Sequence, residues 1–103
     1  MLVAQSVRLT HEQGLAIGDA MIALEAPHYC DGLVLDGSGF LEKLRGVGLR
    51  SEDLQERGKY YQQALLTALQ ATDLLEQGGA ACILVEARYG PRGQGLLKRA
   101  PAP

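Results

Sequence analysis

The densest cluster of reactive side chains lies in the segment Pro27-His-Tyr-Cys-Asp31. In an extended loop, the side chains of His28 and Cys30 point the same way, so the imidazole could lower the pKa of the thiol and generate a nucleophile. Catalytic pairs of this kind usually come from separate parts of a chain and need an oxyanion donor. No CxxC or HxxxH spacing completes a metal-ligand set, and we expect no metal site. The pattern favours a packed loop, with ligand binding or catalysis as the alternatives.

Two glycine-containing segments are the other candidates. The segment Leu44-Arg-Gly-Val-Gly-Leu-Arg-Ser51 has the Gly-apolar-Gly centre of a helix-hairpin-helix turn, in which backbone N–H groups bind a DNA phosphate. Glu52 and Gln55 stand where such motifs have Ala and Leu, and the acidic side chains of Glu52 and Asp53 would repel phosphate. Nucleic-acid binding through Gly46-Val47-Gly48 is therefore a third hypothesis, behind a simple helix-to-helix turn.

The segment Asp36-Gly-Ser-Gly39 resembles the start of a phosphate-binding glycine loop. A dinucleotide fingerprint needs a third glycine, and Glu42 stands in its place. The segment is better explained by a tight turn, and we expect no cofactor.

Composition and length limit the class of protein. A chain of 103 residues is sufficient for one domain, and 47% hydrophobic residues exclude a wholly disordered chain. Ten basic and twelve acidic residues give a net charge of -2, which provides no strong attraction to nucleic acid or anionic lipid. The apolar runs are shorter than the ~20 residues of a membrane span, and residues 1–8 do not resemble a secretory signal. We therefore expect a cytoplasmic location, no membrane partner and two unpaired thiols, Cys30 and Cys82.

The elements that position these residues follow from periodicity and capping signals. We predict a small single α+β domain over residues 1–90, followed by a flexible basic tail rich in Gly and Pro over residues 91–103. Its three-stranded, mainly antiparallel sheet would carry two main helices on one face. The predicted strands are 2–9, 33–35 and 80–89, and the predicted helices are 11–25 and 51–77.

The second of these helices has two unusual features. A continuous helix over 51–77 would be about 40 Å long, which exceeds a compact domain of this size, so we predict a break at Gly58. Leu66 also lies opposite the main apolar face of this helix, among Gln62 and Gln70. A second subunit would bury it without facing like charges.

These observations favour a non-enzymatic cytoplasmic protein that works as a self-associating protein-interaction module. Its homodimer interface would contain Leu66, Gln62 and Gln70, and any further protein partner is unspecified. The alternative is a small-molecule-binding protein or enzyme with a pocket between loop 27–39 and helix 51–77. Such a pocket would be lined by His28, Cys30, Asp31, Tyr60 and Tyr61.

Overall fold

The computed structural model of the protein describes residues 8–101, which form an α-rich fold with a small antiparallel sheet. The bounds of its elements are α1 His11–Glu25, a 3-10 turn Ala26–His28, β1 Leu33–Leu35, α2 Gly37–Arg45, α3 Ser51–Leu54, α4 Tyr61–Leu75, α5 Gly79–Tyr89 and β2 Leu97–Arg99. Within the described residues the sheet has two strands, so the fold is a mixed α+β arrangement dominated by helices.

Helix α1 begins where the sequence predicts it. The Thr10 hydroxyl accepts a 3.0 Å hydrogen bond from the Gln13 N–H, and the Gln13 side chain accepts a 3.1 Å bond from the Thr10 N–H. This reciprocal capping box satisfies two N–H groups that the helix itself cannot pair. The helix ends at Glu25, two residues before Pro27, and passes into the 3-10 turn. The prediction of a helix over 11–25 is confirmed.

The predicted helix over 51–77 is divided into α3 and α4, and the predicted break at Gly58 is confirmed. Between them the Tyr60 N–H donates a 2.8 Å hydrogen bond to the Asp53 carbonyl, which folds the chain back on α3. A Cβ atom on Gly58 would lie 2.2 Å from the Glu52 carbonyl oxygen, so only glycine fits this turn. Within this turn, Arg57 has a positive φ of 71°.

The predicted strand over 80–89 is wrong, because this segment forms helix α5. An apolar run of this length fits a buried strand or a buried helix equally well. Alternation would place Ala81, Ile83 and Val85 on one face. In the structure Ala81, Val85 and Tyr89 are buried at a spacing of four residues, whereas Ile83 is exposed.

The sheet differs from the prediction in its partners. The strand at 33–35 is present, but it pairs antiparallel with β2, with Leu33 opposite Arg99 and Leu35 opposite Leu97. Strand β2 comes from the segment that we expected to be a mobile tail, and Leu97 is only 1% exposed. Residues 2–7 of the predicted strand 2–9 lie outside the described residues, and Arg8 and Leu9 belong to no strand.

The buried side chains form two clusters along α1. The first cluster packs the middle of α1 against α2, α3 and the start of α4, and it contains Ile17, Ala20, Met21, Phe40, Leu44, Leu49, Leu54, Tyr60 and Ala64. The second cluster packs the end of α1 against α5 and the sheet, and it contains Ala23, Ala26, Cys30, Leu33, Leu75, Val85, Tyr89, Leu96 and Leu97. Helix α1 therefore contributes buried side chains to both clusters.

Candidate functional site

The predicted thiol chemistry of Cys30 is excluded, because Cys30 and Cys82 form a disulfide. Their Cα atoms are 5.6 Å apart, and no free cysteine occurs within residues 8–101. The prediction of two unpaired thiols is therefore wrong. The prediction rested on the expected cytoplasmic location, whereas in the fold α5 places Cys82 beside the 3-10 turn that leads into Cys30. A disulfide-bonded Cys30 supplies no thiolate nucleophile or ligand.

The other residues of the predicted pocket lie in different surroundings. His28 and Asp31 are exposed, and Tyr61 is half-buried at the start of α4. Tyr60 is buried in the first core cluster, whereas Cys30 is buried in the second. Cys30 is therefore bonded to α5 through the disulfide, whereas Tyr60 packs in the other core cluster. The five residues therefore share no core cluster, and a pocket lined by all of them stays a prediction.

A polar cluster that the sequence reasoning missed lies around Asp19. Asp19 is 9% exposed; one oxygen of its carboxylate accepts a 2.8 Å hydrogen bond from the Tyr89 hydroxyl, and the other lies 3.4 Å from Lys43 Nζ. Arg88 Nη2 lies 3.9 Å from the first oxygen. The cluster therefore joins α1, α2 and α5 around one buried negative charge. Its only sequence signal is a carboxylate among the alanines of α1, at Ala16, Ala20 and Ala23.

The environment of Tyr89 decides what this cluster can do chemically. Burial has the largest effect on the pKa of Tyr89 and raises it well above its ordinary value of 10.0. The hydrogen bond to Asp19 and the negative charge of Asp19 raise this pKa further. The phenol is therefore neutral at physiological pH and donates its proton to Asp19. Because both carboxylate oxygens are already engaged, the arrangement is suited to holding three helices together rather than to transferring protons.

A groove opens beside this cluster between α1 and α2. It has a volume of about 460 Å³ and carries three carboxylates and one ammonium group. Its lining consists of Glu12, Leu15, Ala16, Asp19, Glu42, Lys43, Gly46 and Val47. None of the five residues predicted to line a ligand pocket belongs to this groove. Among residues 8–101 no group of three His, Cys, Asp or Glu side chains is arranged to hold a metal ion.

The two glycine-containing segments serve as helix connections. The Asp36 carboxylate accepts hydrogen bonds from the Gly39 N–H at 3.1 Å and from the Ser38 hydroxyl at 2.9 Å, so Asp36 is the N-cap of α2. These two bonds lower the pKa of Asp36, and the bond from Gly39 has the larger effect. Gly48, with φ of 76°, completes the turn from α2 to α3. Because α3 has only four residues, this turn adds no evident phosphate site, and nucleic-acid binding stays a hypothesis.

The outer surface of α4 is apolar and weakly charged. Leu66 is 62% exposed and Leu69 is 57% exposed, and Leu65, Gln62 and Gln70 are exposed beside them. These five residues are called the α4 face below. The prediction that the core of the monomer does not reach Leu66 is confirmed. Asp73 is the only charged residue in α4.

Helix α5 presents a second exposed apolar surface, which the sequence reasoning missed because it read a strand. Ile83 is 72% exposed and Leu84 is 68% exposed, with the exposed Ala80 and Ala87 on either side. These four residues are called the α5 face. Large aliphatic side chains that stay this exposed mark surfaces suited to contact with another molecule.

Comparisons of the chain with protein-family models, curated proteins and solved structures gave no match. None of the helices within residues 8–101 has both the length and the apolar character needed to cross a bilayer.

Proposed function

We propose that this protein is a self-associating protein-interaction module that forms a homodimer and has no catalytic activity of its own. The observation that carries the proposal is the α4 face, which exposes three leucines on one helix. Single exposed apolar residues are ordinary on protein surfaces, but a row of them on a helix with one charge is typical of an interface.

The energetics of the α4 face favour a second copy of the chain as its partner. Complete burial of a leucine side chain contributes ~1.5–3 kcal/mol, and a two-fold axis counts each side chain twice. Gln62 and Gln70 can pair with each other across such an axis, so the interface would bury no like charges. A homodimer therefore removes apolar surface from water without leaving an unpaired charge.

Sedimentation equilibrium at micromolar concentration tests this function. We expect a dimer for the wild-type protein and a monomer for Leu66→Glu, because the substitution places two carboxylates face to face. Leu15→Glu is the matched control, since Leu15 is 55% exposed on α1 and lies outside the α4 face. Circular dichroism establishes that both variants keep their helix content. A monomeric wild-type protein, or a dimeric Leu66→Glu variant, would overturn the proposed interface.

The cytoplasmic location is proposed separately, and the disulfide weakens its support. A cytoplasmic location predicts reduced thiols, whereas stable disulfides are typical of oxidising compartments. Rapid acid quenching of the cells, followed by alkylation of the thiols in denaturant, tests the location, because the buried Cys30 would not react in the folded protein. A protein alkylated at both Cys30 and Cys82 would support a reducing compartment, and an unmodified protein would point to an oxidising one.

A further inference from the structure

The α4 face continues to Asp73 along a straight row of four exposed side chains. Their intervals of four, three and four residues keep them on one side of the helix, as in the seam of a coiled coil. The row consists of Gln62, Leu66, Leu69 and Asp73. The buried side of α4, which contains Ala64, Ala71 and Leu75, lies opposite this row. The row is therefore apolar in the middle and polar at both ends.

Asp73 lies at an unfavourable position of its own helix. It belongs to the last turn of α4, where the helix dipole is negative, and this turn carries no basic residue. Within the described part of the chain, the exposed Asp73 carboxylate takes part in no ion pair. Hydrogen-bond donors or a positive end from another molecule would compensate this charge.

The first turn of α4 has the complementary character. The side chain of its N-cap residue, Tyr60, makes no capping hydrogen bond, and the turn carries no acidic residue. Among residues 8–101, no group accepts a hydrogen bond from the backbone N–H of Gln62 or of Gln63. Unpaired N–H groups and the positive end of the helix dipole favour a carboxylate. The row therefore has a donor end at Gln62 and an acceptor end at Asp73.

We propose that the two copies of the homodimer pair their α4 helices antiparallel, about a two-fold axis between Leu66 and Leu69, with Asp73 of each copy against Gln62 of the other. This axis places Leu66 of one copy against Leu69 of the other and keeps the two Leu66 side chains neighbours. Gln70 lies one turn before Asp73 and is therefore also beside Gln62 of the other copy. The proposal rests on the homodimer proposed above and assigns its orientation and its polar contacts.

The two ends of the row select the antiparallel orientation and a second copy as occupant. Asp73 of each copy then lies at the first turn of the other α4, where the Gln62 amide and the unpaired N–H groups can donate to it. A parallel pairing would place the two Asp73 carboxylates side by side, next to two negative helix ends, which is unfavourable. A surface that is complementary to itself after a two-fold rotation is what an isologous dimer requires.

Charge substitutions at the two ends test this pairing by sedimentation equilibrium. Gln62→Glu sets a second carboxylate against Asp73 of the other copy, and Asp73→Lys sets an ammonium group against the positive end of the other helix. Each should raise the Kd of the dimer about tenfold at low salt. Both substitutions suit the dipole of their own helix, so circular dichroism should not change. Gln63→Glu is the matched control, because it adds the same charge outside the row, and it should change the Kd by less than about threefold.

The double variant Gln62→Glu/Asp73→Lys distinguishes the two orientations. In the antiparallel dimer the substituted positions face each other with opposite charges, so the Kd should return to within about threefold of the wild-type value. In a parallel dimer the same variant has like charges at both ends and would bind more weakly than either single variant. Absence of the rescue, or single variants with an unchanged Kd, overturns the antiparallel pairing, and a wild-type dimer that Leu66→Glu separates would still support the self-association. A monomeric wild-type protein overturns both.

Discussion

The Tyr89 hydroxyl donates a 2.8 Å hydrogen bond to the Asp19 carboxylate and so joins the last residue of α5 to the middle of α1. The second carboxylate oxygen lies 3.4 Å from Lys43 Nζ on α2. A buried carboxylate without partners would be strongly destabilising, and these two contacts supply the compensation. The cluster therefore fixes how α1, α2 and α5 meet.

Removing the phenol tests the contribution of this hydrogen bond. We expect Tyr89→Phe to lower the free energy of unfolding by ~1.5–3 kcal/mol, because a buried bond to a charged group is lost while the ring is kept. Urea unfolding followed by circular dichroism measures the change. Tyr61→Phe is the control, since the Tyr61 hydroxyl makes no hydrogen bond within residues 8–101, and it should change stability by less than ~0.5 kcal/mol. Equal effects of the two substitutions would contradict the assignment.

The same residue should make stability depend on alkaline pH. Because burial and Asp19 raise the pKa of Tyr89 above 10.0 in the folded protein, the unfolded chain loses this proton first. The Tyr89 contribution is therefore complete below pH 10.0 and is lost as the pH rises through the folded value, by up to ~1.4 kcal/mol per pH unit. Urea unfolding at about pH 8 and about pH 11 should show the advantage of wild type over Tyr89→Phe shrinking. A constant difference would show that the Tyr89 pKa is not raised.

Local signals in the sequence were sufficient for some elements of the fold. The capping box at Thr10 and the proline after α1 act within a few residues of the helix ends, so helix 11–25 can be predicted from the sequence without knowledge of tertiary contacts. Gly58 also predicts a break, because glycine inside a helix is less favourable than alanine. In contrast, the segment over 80–89 has no cap and no polar stripe, and its identity is decided by the surfaces it packs against.

The candidate site depended on contacts that no local pattern shows. Asp19 and Tyr89 are 70 residues apart in sequence, and Cys30 and Cys82 are 52 residues apart. The pairing of β1 with β2 likewise joins residue 33 to residue 99. The prediction of a strand over 80–89 misplaced Tyr89, the prediction of a mobile tail over 91–103 left β1 without its partner, and the expected compartment left the two cysteines unpaired. The position of Leu66 was predictable, because it follows from the helical wheel of α4 alone.

Two glycines should respond to alanine in opposite directions. A Cβ on Gly58 would lie 2.2 Å from the Glu52 carbonyl oxygen, so Gly58→Ala must displace backbone and should destabilise the protein by more than ~1 kcal/mol. Gly14 is the matched control, because it lies within α1 and a Cβ there would meet nothing within 4 Å. Gly14→Ala should therefore stabilise the protein by up to ~1 kcal/mol. Thermal and urea unfolding of the two variants measure both changes, and a stabilising Gly58→Ala would contradict the close approach.

The disulfide should contribute a large part of the stability of the molecule. It closes a loop with a sequence separation of 52 residues, for which the loss of chain entropy in the unfolded state corresponds to ~4 kcal/mol. It also fastens α5 to the loop before β1, next to the fully buried Leu96. The double substitution Cys30→Ser/Cys82→Ser should therefore lower the free energy of unfolding by ~2–5 kcal/mol in urea.

Reductant provides the internal control for the disulfide. Dithiothreitol should destabilise the wild-type protein by nearly the same amount as the double substitution, and it should leave the stability of Cys30→Ser/Cys82→Ser unchanged. Titration of thiols in unfolded, unreduced wild-type protein should detect none. Two thiols per chain in that titration, from protein purified without reductant, would show that Cys30 and Cys82 are not bonded. In that case α5 would be held on α1 by its apolar stripe and by the contacts of Tyr89 and Arg88 with Asp19.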